Sequence, residues 1–116
     1  MPGTTGAGGN ILYQYLCIPT LTPVSVAANT TAEQSFTVMG LQTGDNVDVY
    51  YYGTNINTPA AQLAGIGIVN NRVSAPNTLQ IGFINSTAGA LTPLAGIYYM
   101  CVTRPENFTT LPASAA

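Results

Sequence analysis

The sequence predicts an all-β fold: a single antiparallel β-sandwich or jelly roll of about seven to eight strands, with flexible termini. Three observations indicate this class. Short apolar runs alternate with polar residues at period two, as half-buried strands do. Gly, Pro, Asn and Asp separate these runs at intervals of about 8–12 residues. No segment has the length and period of a crossover helix, which disfavours a parallel sheet.

The first half of the chain contains four predicted strands. In the first, Tyr13, Tyr15 and Cys17 share one face. The second follows Pro23, whose missing N–H is typical of a sheet edge. In the third, Phe36 alternates with polar neighbours. The four strands span residues 11–18, 24–27, 33–39 and 47–52.

The second half contains three more predicted strands, at residues 66–73, 79–83 and 97–103, with a turn through Pro76. In the last strand, Tyr99 and Cys101 lie opposite Tyr98, Met100 and Val102. The domain organisation that follows is an N-terminal flexible arm, a sandwich domain and a C-terminal tail, spanning residues 1–10, 11–104 and 105–116.

Charge is unusually scarce. Only 5% of the 116 residues are charged and the net charge is −2, whereas about 25% of an average domain is charged. Polarity comes instead from neutral side chains, among them 16 Thr and 10 Asn. Neutral polar groups cost less to desolvate than charges do. This composition favours a surface that is covered by copies of the chain or by another protein.

Several function classes are disfavoured by the residues that are missing. The chain has no His and no Lys, which removes the usual general base and commonest metal ligand. Two Arg are too few to neutralise a nucleic-acid backbone or to bind an anionic membrane. We therefore predict a non-enzymatic protein with no catalytic residues, cofactor or metal, and with neither nucleic acid nor membrane as partner. A calcium site at Asp45 and Asp48 is the weak alternative to turn capping by Asp45.

The two cysteines, Cys17 and Cys101, lie in apolar runs near opposite ends of the chain. Pairing of the first and last strands would make them neighbours. The simpler expectation is that both are reduced thiols acting as small hydrophobic side chains.

The candidate interface residues are three tyrosines and the two arginines: Tyr50, Tyr52, Tyr98, Arg72 and Arg104. Tyrosine offers a large contact area with few rotatable bonds, which suits an interface or a sugar-binding platform. The alternative is that about half of the tyrosines in the two clusters are core residues and the others lie on the sheet surface. The clusters are Tyr50, Tyr51, Tyr52 and Tyr98, Tyr99. Each arginine is expected to pair with an acid across a subunit boundary and so to define the register of assembly.

Several segments resemble small virion proteins of tailed bacteriophages. They are residues 25–38 (SVAANTTAEQSFTV), Gly40-Leu41, Thr43-Gly44-Asp45, 64–74 (AGIGIVNNRVS), Asn77-Thr78-Leu79, Phe83-Ile84-Asn85, Thr87-Ala88-Gly89 and Thr92-Pro93. The resemblance covers about residues 22–103 and includes no catalytic residue.

The resemblance implies an antiparallel β-sandwich that serves in the virus particle. The implied role is a capsid decoration (cement) protein, often a homotrimer, that binds the major capsid protein on the outer shell. Such a protein would be made in the host bacterial cytoplasm and end on the capsid surface. A head- or tail-fibre domain that binds a host-surface glycan is the alternative.

Overall fold

The computed structural model describes residues 10–106, which form seven β-strands and no helix. The predicted arm and tail lie almost wholly outside the described residues. Between Asn10 and Glu106, no helix could span a lipid bilayer. The strands are β1 (Ile11–Cys17), β2 (Thr20–Leu21), β3 (Thr30–Thr37), β4 (Asn46–Gly53), β5 (Ile66–Ala75), β6 (Thr78–Asn85) and β7 (Gly96–Pro105).

The strands form two antiparallel sheets, each built around one central strand. In the four-stranded sheet, β7 has β4 on one side, and β1 and β2 follow one another along its other side. In the three-stranded sheet, β6 lies between β3 and β5. The predicted all-β class and sandwich architecture are confirmed.

The second predicted strand, at residues 24–27, is wrong. Only Val26 forms an isolated bridge there, with Leu91, and β2 lies earlier in the chain. The side-chain amide of Gln34 explains the difference, because it takes both backbone groups of Val24: it accepts from the N–H at 2.9 Å and donates to the carbonyl at 2.8 Å. With these groups satisfied by a side chain, the segment needs no neighbouring strand.

The core lies between the two sheets and is dominated by alternate residues of the central strands. They are Leu79, Ile81 and Phe83 of β6 and Tyr98, Met100 and Val102 of β7, all fully buried. Edge strands contribute Val47, Val49 and Val73. Because β6 and β7 have neighbours on both sides, their inward side chains are covered most completely.

A buried asparagine ties the loop after β6 to the segment before β3. Asn85 is fully buried, and its amide donates to the carbonyls of Val26 (3.0 Å) and Gly89 (2.9 Å). Its Oδ1 accepts from the backbone N–H (2.9 Å) and the hydroxyl (2.7 Å) of Thr87. Every hydrogen-bonding group of this amide is used, which makes its burial tolerable.

Candidate interaction surface

The outer face of the four-stranded sheet carries three clustered tyrosines. In the β4–β7 register Tyr50 lies opposite Tyr99, and residues opposite one another project to the same face. The two rings are stacked, with centroids 5.4 Å apart and planes at 22°. Tyr52 completes the cluster, since its ring lies 5.7 Å from that of Tyr99. We call Tyr50, Tyr52 and Tyr99 the tyrosine face.

The surface around the tyrosine face is largely apolar and almost free of charge. Cys101 lies opposite both Leu16 of β1 and Asp48 of β4, so these three side chains share the outer face. Leu16 is 59% exposed and Tyr50 is 54% exposed. Asp48 is the one charged residue among the outward positions of β1, β4 and β7. Covering this face therefore requires the desolvation of a single carboxylate.

The outer face of the three-stranded sheet is polar by contrast. Arg72 of β5 reaches over the central strand to Glu33 of β3, with a bidentate pair of 2.8 Å hydrogen bonds. Glu33 lies opposite Gly82, which has no side chain to obstruct the pair. Gln80 donates to the Ser74 hydroxyl at 3.1 Å. The two outer faces thus differ in chemistry, and the four-stranded sheet presents the one suited to contact.

Tyr98, predicted as an interface residue, is instead a core residue. It is fully buried, and its ring meets those of Tyr51 and Phe83 edge-on at 5.3 and 6.3 Å. Its hydroxyl accepts from Gln62 Nε2 at 2.8 Å and donates to the Leu94 carbonyl at 2.7 Å. Burial raises the pKa of Tyr98 to about 12. Its neighbour Tyr99 takes the predicted place on the outer face.

Arg104, also predicted at a subunit boundary, is held within its own chain. Its guanidinium forms a bidentate pair with Asp45 at 2.8 Å and also donates to the Gly40 carbonyl and the Tyr13 hydroxyl. The Asp45 side chain is only 1% exposed and that of Arg104 11%. The prediction of an acid partner from another subunit is wrong for Arg104, because the chain supplies the acid itself.

Arg72 also has its acid partner in the same chain. Its side chain is 56% exposed, so its role as a contact residue stays a prediction. The Arg72 hydrogen bond holds the pKa of the Glu33 carboxyl below its ordinary value. The pair lies on the polar outer face, away from the tyrosine face.

The two cysteines occupy opposite faces of the four-stranded sheet. β1 and β7 do pair, but Cys17 lies opposite Met100, which is in the core, while Cys101 lies opposite the exposed Leu16. Both thiols are free, and burial raises the pKa of Cys17. Side chains that point to opposite faces cannot form a disulfide without backbone movement.

The clefts on the described part of the molecule include one between the two sheets and one beside the Asp45–Arg104 pair. One, of about 340 Å³, lies between β4 and β5 and is lined by uncharged residues: Val49, Tyr50, Tyr51, Gln62, Gly67 and Ile68. The other, of about 240 Å³, lies beside the Asp45–Arg104 pair. Residues 10–106 contain no cluster of three or more His, Cys, Asp or Glu side chains that could hold a metal ion.

Comparisons with known proteins do not assign this chain to a family. No family model, no curated protein and no solved structure matches it.

Sequence reasoning found Tyr50 and Tyr52 but missed Tyr99. The alternation of β7 separates Tyr98 from Tyr99 without indicating which of them faces inward. The residues at alternate positions of β7 could have identified Tyr99 as the outward tyrosine. Tyr99 shares a face with Cys101, while Tyr98 shares a face with Met100 and Val102. The more apolar set is the better candidate for the core.

Proposed function

We propose that this protein is a non-enzymatic structural protein of a tailed-phage virion, a capsid decoration protein that binds between neighbouring capsid subunits. The tyrosine face is the observation that carries the proposal. It offers exposed aromatic area on a regular sheet, with one carboxylate nearby and no other charge on the outward positions of its strands.

Two effects favour contact through the tyrosine face: a low cost of desolvation and a low cost in conformational entropy. Contact with another protein removes water from every group on the face, and neutral groups lose less hydration free energy than charged ones. Tyrosine side chains have two rotatable bonds, so ordering them costs little conformational entropy for the area they bury. Tyr50 and Tyr99 are already stacked on each other, which further reduces that cost.

The assignment to a capsid, rather than to any other assembly, is supported by the resemblance of residues 22–103 to small virion proteins. The same resemblance supports the capsid surface as the location, the major capsid protein as the partner and a homotrimer as the assembly. In this arrangement the tyrosine face lies against the shell and the polar outer face, with Arg72 and Glu33, remains in water.

A glycan-binding fibre or adhesin domain is the second candidate. The observation that favours it is the pair of stacked rings, because exposed aromatic rings bind the apolar faces of sugars. The rim of the cleft of about 340 Å³ includes Tyr50 and Gln62, so a ring-bound sugar would have a polar neighbour. In this candidate Tyr99 replaces Tyr98 as the third stacking residue.

The test is binding to shells of the cognate phage that have been prepared without this protein. The unmodified chain should bind them and raise their thermal stability. The double variant Tyr50→Ser/Tyr52→Ser should bind at least tenfold more weakly, since buried aromatic contacts are common hot spots worth about 2 kcal/mol or more. Ser35→Ala/Thr37→Ala, on the polar outer face, is the matched control and should bind normally.

Two results would contradict the proposal. If the unmodified chain neither binds nor stabilises the shells, the decoration role is wrong. If the tyrosine variant binds as well as the control, the tyrosine face is not the contact surface. Glycan-array binding by the unmodified chain that is lost in the tyrosine variant would favour the adhesin.

A further inference from the structure

Among the described residues, no strand pairs with the outer edge of β1. This strand pairs with β7 along one side only. Its single register irregularity falls at Leu12, so the regular stretch of the strand is Tyr13 to Cys17. Residues 10–18, which include all of β1, contain no charged residue and no proline. A long neutral edge of this kind exposes a row of backbone donors and acceptors that a further strand can pair with.

The other edge strands differ from β1: β2 is only two residues long, and each of the three longer ones carries a feature that obstructs pairing. β3 has Glu33 and is contacted through Gln34 by the backbone of Val24. β4 has Asp48, and its end is bonded by the following loop, where the Ala60 N–H donates to the Tyr52 carbonyl at 2.8 Å. β5 has two bulges. Among the described strands, β1 is therefore the edge most open to another chain.

Apolar side chains along this edge are also left uncovered. Leu12, Leu16 and Ile18 are 53%, 59% and 46% exposed. Tyr13 points to the inner face of the sheet, yet 42% of its surface is exposed. The chain's own second sheet does not cover this end of β1, which leaves inner-face area for a neighbour to bury.

The sequence of β1 is symmetric about Gln14. Residues 12–16 read Leu-Tyr-Gln-Tyr-Leu in either direction. When two copies of such a strand pair antiparallel about a two-fold axis through Gln14, Leu12 lies opposite Leu16 of the partner subunit and Tyr13 lies opposite Tyr15 of the partner subunit. Gln14 lies opposite the partner subunit's Gln14. Each side chain of residues 12–16 then meets one of its own type, and Tyr13, Gln14 and Tyr15 lie in the regular part of the strand.

We propose that a second copy of this chain binds along β1, so that the two four-stranded sheets join antiparallel into one continuous sheet about a two-fold axis at Gln14. The pairing is isologous, because the same surface is used by both copies. Tyr–Tyr and Leu–Leu pairs stabilise adjacent strands. Each Gln14 amide donates one N–H to the Thr103 hydroxyl at 2.9 Å and keeps a second N–H and its carbonyl oxygen to exchange with the other copy. No charge lies opposite a like charge.

This inference does not depend on the proposed function, because the edge and the tyrosine face use different residues. It does make a distinct prediction about assembly. A two-fold contact gives an even number of copies: two if it is the sole contact between copies, or six if it joins two of the homotrimers that the resemblance implies. The solution mass of the full chain distinguishes the two, and the shell-binding assay with the Tyr50/Tyr52 variant is independent of both.

The first experiment is light scattering during gel filtration, with a monomer mass of 12.0 kDa as reference. We expect twice that mass or a larger even multiple. Gln14→Lys places two positive charges opposite each other at the axis and should halve the mass. Ser35→Lys adds the same charge on the other sheet and should leave the mass unchanged. Circular dichroism and thermal unfolding are used to check that both variants remain folded.

The second experiment tests the proposed register between the two β1 strands by disulfide cross-linking at Gln14. In a Cys17→Ala/Cys101→Ser background, Gln14→Cys should give a disulfide-linked dimer on mild oxidation with diamide. Cα atoms opposite one another in antiparallel strands are about 4.5–5.5 Å apart, within the range of disulfides. Ser35→Cys in the same background should remain monomeric on a non-reducing gel. An unmodified chain that is monomeric or trimeric, or a Gln14→Cys yield no higher than the control, overturns the proposal.

Discussion

Arg104 and Asp45 form a bidentate ion pair that ties the loop before β4 to the end of β7. The Arg104 Nε and Nη2 atoms donate to the two oxygens of Asp45 at 2.8 Å. The backbone N–H of Gln42 donates to the same carboxylate at 2.9 Å. The ring of Tyr13 lies 5.1 Å from the guanidinium carbon, so β1 joins the arrangement. Three separate segments thus meet at one largely buried charge pair.

Removal of the arginine should destabilise the protein strongly. Arg104→Met leaves the Asp45 carboxylate buried with only the Gln42 N–H as partner, and breaking a buried pair costs about 3 kcal/mol or more. Urea unfolding measures the difference. Arg72→Met is the matched control and should change stability little, because exposed ion pairs contribute little. Equal losses in the two variants would contradict the burial of the Asp45–Arg104 pair.

The same pair should make stability depend on pH on the acid side. The Arg104 hydrogen bond holds the pKa of Asp45 below its ordinary value of 3.8. A carboxyl whose pKa is lower in the folded state contributes stability above its unfolded pKa and loses it as the pH falls through the folded pKa. We therefore expect the free energy of unfolding to fall from about pH 5 downward.

Two substitutions separate Asp45 from the other acids. Asp45→Asn should flatten this acid limb and lower stability at pH 7. Asp48→Asn, on the exposed outer face, should retain the limb. If the free energy of unfolding of the Asp45→Asn protein fell as steeply below pH 5 as that of the unmodified chain, the acid dependence of stability would arise from a group other than Asp45.

Tyr98→Phe should cost about 1–2 kcal/mol although the ring is kept. The substitution leaves Gln62 Nε2 and the Leu94 carbonyl without the hydroxyl that links them, and a buried unpaired polar group costs about that much. Tyr50→Phe, on the exposed face, should be nearly neutral. Equal effects of the two substitutions would argue against the buried hydrogen bonds of Tyr98.

Alkaline titration gives a second readout of Tyr98. Its folded pKa of about 12 is above the ordinary value of 10.0, so its contribution is complete below pH 10 and is lost as the pH rises through the folded value. The Tyr98→Phe protein should therefore lose less stability than the unmodified chain between those values. Burial also raises the pKa of Tyr15, so tyrosine absorbance at 295 nm should show one late-titrating group fewer in the Tyr98→Phe protein than in the unmodified chain.

Gly96→Ala should be among the most damaging single-methyl changes. Gly96 has φ +152°, and a Cβ there would lie 2.7 Å from the Gly53 carbonyl oxygen. Since that oxygen belongs to the neighbouring strand β4, relief requires movement of the sheet, and we expect a loss of about 1–3 kcal/mol. Gly89→Ala, where a Cβ meets nothing within 4 Å, is the control for thermal unfolding. A negligible effect at Gly96 would contradict the close approach of β4 and β7.

Much of the fold could be predicted from local sequence. The division of β4 into inward Val47, Val49 and outward Asp48, Tyr50 follows from period two, because successive side chains of a strand project to opposite faces. The sequence also predicted the turn at Pro76-Asn77. In the structure this turn joins β5 to β6, and Asn77 has φ +61°. The symmetry of residues 12–16 is likewise a property of the sequence alone.

The position of each strand in a sheet, and the face that each strand buries, were decided by the tertiary structure. Period two assigns Tyr98 and Tyr99 to opposite faces, but only the packing of β7 against β6 buries Tyr98. Arg104 binds Asp45, which is 59 residues away in the chain, and the irregular segment at Val24 binds the side chain of Gln34 in β3. Local patterns indicate neither contact. Alternation in the sequence therefore divides the side chains of each strand between two faces. Which of the two faces is buried depends on contacts between residues far apart in sequence, because burial is a property of the whole packed chain.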